Sequence, residues 1–169
     1  MPYEADLSVF LRILAICVLA GILGWERESS GKAAGLRTHI LVGVGCVLFV
    51  VIGEFMAAQF RVYGDHVRFD AANLLGAIVT GISFLGAGMI FFKRGSRDVH
   101  GLTTAAGILT TAAIGILVGM EKYLLSVGST VIVFAVLRFV NLLEIKNRWA
   151  RKNENEKSDD EADGQSNAT

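Results

Sequence analysis

Five apolar runs, at positions 7–25, 38–58, 71–92, 101–119 and 123–143, take up most of the chain. A helix rises 1.5 Å per residue, so about 20 residues cross the ~30 Å hydrocarbon core of a bilayer. Helices of a water-soluble bundle keep one polar face. These runs are apolar all round, and the mean hydropathy of the chain is +0.52. The pattern predicts an all-α polytopic membrane protein with five transmembrane helices, residues 1–146 forming the membrane domain. Residues 147–169 are expected to form a cytoplasmic tail, basic and then acidic, without fixed structure.

The formal net charge is zero, but Glu154, Glu156, Asp159, Asp160, Glu161 and Asp163 crowd the tail, so the remainder is basic. Basic loops beside a membrane act as orientation signals or meet anionic headgroups; no nucleic-acid partner is expected. Arg27, Lys32 and Arg37 lie in the first loop, Lys93, Arg94 and Arg97 in the third, and Lys146, Arg148, Arg151 and Lys152 after the last run. The opposite side has Arg61, Arg68 and Lys122. The positive-inside rule then puts the N-terminus outside and the C-terminus in the cytoplasm. Met1-Pro2-Tyr3-Glu4 lacks the basic start of a signal peptide, so the first run is expected to stay in the mature chain. Cys17 and Cys46 lie inside apolar runs, where they read as reduced packing residues.

The charged hairpin from Glu26 to His39 is the first candidate for function. Glu26 and Arg37 abut the two apolar runs that flank it, where partial desolvation strengthens an ion pair. Arg27, Glu28 and Lys32 read more plainly as orientation charges and their neutralising neighbours, but Glu26, Arg27, Arg37, Thr38, His39, Thr103 and Thr104 are together the expected functional cluster at the cytoplasmic face; for catalysis His39, His66 and His100 are each isolated. Within the runs, Glu54 near the end of the second is expected to pair with Arg12 near the start of the first; a proton or cation relay is the alternative. Asn73, Thr80 and Ser83 on run three and Thr110 and Thr111 on run four are polar groups at membrane depth. Their hydroxyls are expected to bond mostly to carbonyls of their own helix. Thr103 and Thr104 follow Gly101 at a helix start, where they can cap it or meet an anion.

Small residues mark the expected packing faces. Gly107, Thr111, Gly115 and Gly119 recur every four positions and form a flat stripe on run four. Ala20 and Gly24 do the same on run one, and Gly81, Gly86 and Gly88 either pack or break run three. Gly35-Leu36-Arg37-Thr38 and Gly101-Leu102-Thr103-Thr104 open runs two and four alike, a faint sign of two hairpin repeats. No catalytic constellation, nucleotide loop or metal-ligand spacing can be picked out, so the expectation is a non-enzymatic protein without cofactor or metal.

Gly24-Trp25-Glu26-Arg27, the segment from Ala34 to His39, the glycine-rich segment from Gly81 to Gly88, and Val99-His100-Gly101-Leu102-Thr103-Thr104-Ala105-Ala106 together resemble the MgtC/SapB family of bacterial inner-membrane proteins. The resemblance spans roughly residues 7–143. It implies a five-helix domain in the bacterial inner membrane, a role in growth at low magnesium or in virulence, and regulation through other membrane complexes. The proton-translocating ATP synthase and transport ATPases are the partners it implies. It places functional weight on Glu26, Arg27, Arg37, Thr38 and Thr103. Family members often carry Gly at Ser83, Arg at His100 and Trp at Leu109. The virulence branch adds a soluble C-terminal domain, for which no room is expected after Arg151.

Two functions are therefore expected to compete. One is regulation by helix-to-helix binding of other inner-membrane proteins, with self-association into a homo-oligomer. The other is passage of magnesium or protons along Asn73, Ser83 and Thr103 to Glu26. The second lacks an acid at mid-membrane to hold a divalent cation.

Overall fold

The computed structural model describes residues 2–62, 70–92 and 99–139. The chain divides into two compact units, Met1–Phe134 and Ala135–Thr169. Of the second, the described part, residues 135–139, is helical. The expected tail and most charges of the second and third loops, His66 among them, lie outside the described residues.

The first unit is built from α1 (Pro2–Ser29), α2 (Leu36–Val62), α3 (Ala71–Gly88), α4 (Leu102–Gly119) and the start of α5 (Tyr123–Phe139). The first four are long and apolar enough to cross a membrane, and the described part of α5 is apolar. The chain is thus an all-α polytopic membrane protein. Large apolar side chains such as Phe10, Leu41, Phe84 and Leu124 are exposed all around it, as a bilayer as solvent demands.

The helix ends follow local chemistry. Lys32 N–H bonds to the Arg27 carbonyl and Gly31 N–H to that of Glu28, with Gly31 at φ +66°. This glycine-terminated cap satisfies the last carbonyls of α1 and turns the chain into α2. The cap of α4 has the same pattern, Lys122 N–H to Leu117 and Glu121 N–H to Val118, but Glu121 occupies the left-handed position at φ +59°. Asp70 caps α3, accepting from Ala72 and Asn73 N–H at 2.9 and 3.2 Å.

The third apolar run departs from expectation. The helix is continuous through Gly86 but stops at Gly88, not at Phe92. Phe91–Phe92 (β1) pairs antiparallel with Val99–His100 (β2). Gly101, at φ +88°, closes this turn so tightly that a Cβ there would overlap the Met89 carbonyl. Hydropathy alone does not distinguish Met89-Ile90-Phe91-Phe92 in a short ribbon from the same residues in a helix.

The centre of the bundle is α2, which packs on both α1 and α4, while α3 packs mainly on α4. Glycines permit the close approaches. A Cβ on Gly43 would lie 2.7 Å from Ile16 of α1, and on Gly115 2.8 Å from the Gly43 carbonyl oxygen. A Cβ on Gly119 would lie 2.8 Å from Val50, and Gly86 sits more loosely, 3.5 Å from Ala105. Gly81 and Gly88, expected as packing positions, instead face open space. Cys46, Ile78 and Ala112 close the core where α2, α3 and α4 meet, and both cysteines are free.

Candidate functional site

Two polar clusters lie near opposite ends of α1. At its C-terminal end Glu26 and Arg27 are buried, at 2% and 3% exposure. Arg27 Nε and Nη2 both lie 2.5 Å from Glu26 Oε2, and Ser30 Oγ donates to Glu26 Oε1 at 3.0 Å. Both carboxylate oxygens are therefore engaged. Neighbouring residues on a helix do not ordinarily face each other, but the long guanidinium folds back along its own helix end. The pair expected from the sequence, Glu26 with Arg37, is not formed: Arg37 is exposed. Arg37 and Thr38 instead line a hollow of about 340 Å³ with Glu28 and Lys32. Glu28 is more than a neutralising charge, since its Oε2 accepts from Leu36 N–H at 2.8 Å and caps α2.

His39 lies beside the Glu26–Arg27 pair. It has no exposed surface and lies within electrostatic reach of Glu26 and Arg27. Its Nδ1 is 3.0 Å from the Gly35 carbonyl oxygen, which assigns the hydrogen to Nδ1. Its Nε2 is buried, has no hydrogen-bond partner among the described residues, and faces Gly107 of α4, where a Cβ would stand 3.6 Å away. Gly24 brings the helices together here; a Cβ on it would meet Leu36 Cα at 2.8 Å. Of the two threonines at the start of α4, Thr104 is buried and Thr103 exposed. The N-cap of α4 is Gly101, without a side-chain cap bond. Chemically the cluster is a neutralised ion pair plus one unmatched acceptor, sealed between three helices.

Near the other end of α1, Arg12 is buried at 7% exposure. The pairing with Glu54 is present, at 2.8 Å from Nη1. The same Nη1 donates to the Gly119 carbonyl at 2.6 Å, and Nη2 reaches Glu121 Oε1 at 2.5 Å. One guanidinium thus ties α1 to α2 and to the C-terminal end of α4, where a cation is favoured by the helix dipole. The left-handed backbone of Glu121, about 1 kcal/mol worse than glycine would be, places its carboxylate on this cation. Nothing in the spacing of Glu121 pointed to this partnership.

The remaining candidates are not brought together. Asn73 is exposed and its side chain donates to Asp70 Oδ2 at 2.9 Å. Ser83 is exposed on the same helix. The hydroxyls of Thr80, Thr110 and Thr111 bond to carbonyls four residues back, as expected.

The MgtC family model matches residues 13–146. YhiD of Escherichia coli strain K12 is 37% identical over 136 residues, covering 80% of this chain and 62% of that protein. MgtC of Brucella abortus is 40% identical over 119 residues, 70% of this chain and 45% of that protein. SrpB of Synechococcus elongatus is 32% identical over 165 residues, 89% of this chain and 87% of that protein. The chain thus spans about three-fifths of YhiD and under half of the Brucella protein. No solved structure matches it significantly. The family match runs from the first residues after Arg12 through the Glu26–Arg27–His39 cluster and past the described part of α5, and the chain belongs to the MgtC family.

Proposed function

We propose that this chain is a non-enzymatic, multi-pass protein of the bacterial inner membrane with a magnesium-related role. In this reading it acts by binding and regulating other membrane proteins, not by carrying the ion. The YhiD relative is named as a candidate magnesium transporter, which supports the magnesium connection. What supports regulation over transport is the placement of the polar residues. A path from Asn73 and Ser83 through Thr103 to Glu26 would need them to share one lumen. Asn73, Ser83 and Thr103 instead face outward, while Glu26 is sealed inside and neutralised by Arg27.

The outward face of α3 supports the binding reading. Asn73, Gly76, Thr80 and Ser83 follow one helix face, all are exposed, and a Cβ on Gly76 would touch nothing. Small and hydroxyl-bearing residues facing lipid are what a second transmembrane helix packs against. The partner in this reading is another inner-membrane complex, an ATP synthase or transport ATPase being the class implied by resemblance, with self-association on the same face.

A photo-crosslinking residue at position 76 or 83, in cells grown at low magnesium, tests this reading. Discrete protein adducts at these positions, and none from a control probe at buried Ile108, are expected. Lipid adducts alone at both positions would contradict it.

A further inference from the structure

The core closes at Cys46, Ile78 and Ala112, but toward the Arg12 end it opens again. Val50, Glu54 and Ala57 of α2, Leu74 and Leu75 of α3 and Met120 after α4 line a groove of about 260 Å³. Apart from Glu54 these lining side chains are apolar. The three α2 residues share a helix face and span about 10 Å along the helix axis, so the groove runs parallel to the helices. A helix is about 10–12 Å across and cannot enter a space of this size; a single hydrocarbon chain can.

Glu54 is the one acidic residue of the groove lining, and Glu121 follows Met120 of its wall. Glu54 and Glu121 are half-exposed, at 49% and 52% of their side chains, and share the single guanidinium of Arg12. Both carboxylates stay half-exposed while paired with Arg12, so each keeps oxygen lone pairs able to accept a further hydrogen bond beside an apolar slot. That combination matches a lipid whose headgroup bears a hydrogen-bonding ammonium. We propose that this groove binds the acyl chain of an aminophospholipid, with the headgroup ammonium paired to Glu54. The bound chain fills the gap between α2 and α3 and couples the packing of α3 to the membrane around it.

Native mass spectrometry of the full chain tests this, with phosphatidylethanolamine, phosphatidylcholine and phosphatidylglycerol of identical acyl chains as probes. Phosphatidylethanolamine should be retained best, because quaternary choline cannot donate an N–H hydrogen bond and phosphatidylglycerol is anionic and has no ammonium. Glu54→Gln should reduce that preference about two- to fivefold, the range for an interfacial ion pair. Arg12 keeps Glu121 and the Gly119 carbonyl in that variant, so the clamp survives. Ala57→Leu, which fills the slot without touching the charges, should lower retention of all three lipids. Equal retention of the three headgroups by the wild type, or unchanged retention in Ala57→Leu, would overturn the proposal. So would a dimer that forms as lipid is removed and is abolished by Ala57→Leu, since a second copy would then be the occupant.

Discussion

Arg27 and His39 show how a side chain's role depends on what closes over it. In the sequence Arg27 is one of several basic residues that orient a loop. In the fold it neutralises Glu26 inside the bundle. Breaking a buried pair leaves an uncompensated charge, so Arg27→Leu alone should destabilise the protein by roughly 3–5 kcal/mol. Glu26→Leu combined with Arg27→Leu should recover much of that loss, because both desolvation penalties disappear. Thermal unfolding of the single and double variants in detergent measures this; a double variant no more stable than the single would contradict the pairing. His39 offers a converse test. Gly107→Ser places a hydroxyl within reach of the unmatched Nε2. It should stabilise the fold by about 0.5–1.5 kcal/mol, the worth of one hydrogen bond, relative to Gly107→Ala. Equal stability of the Ser and Ala variants would show that Nε2 is already satisfied.

At the scale of the element, the four membrane-length helices were legible because an apolar run leaves few alternatives in a bilayer. Their ends were less so. α1 runs on to Ser29 because Glu26 and Arg27 neutralise each other within its last turns, which a charge count treats as loop. α3 stops early because Gly101 pins the chain beneath Met89, a backbone constraint with no hydropathic signature. The glycine stripe of α4, expected as a helix-binding face, packs through Gly115 and Gly119 on the chain's own α2. Gly115→Leu and Gly119→Leu should therefore abolish folding itself, seen as loss of a monodisperse peak in size-exclusion chromatography. Gly76→Leu and Gly81→Leu should leave that peak intact while changing what crosslinks to α3. A folded Gly115→Leu variant would contradict the α2–α4 contact.

At the scale of the whole molecule, two polar clusters hold the bundle near opposite ends of α1 and an apolar core separates them. The Arg12–Glu54 half of one was readable from matching depths on adjacent helices. Its Glu121 half was not, because it depends on a left-handed residue at a helix end. In the Glu26 cluster the partner is Arg27, which folds inward, and not Arg37, which turns outward. What emerges is a packed scaffold whose charges are paired within and whose small-residue face on α3 is left outward. That arrangement supports the proposal that the chain acts by binding other helices. The most direct test is magnesium flux into liposomes reconstituted with folded protein. Uptake no greater than into empty vesicles, in the wild type and in Glu26→Gln alike, is the predicted result; uptake above that background, lost in Glu26→Gln, would contradict the account and make this chain a transporter.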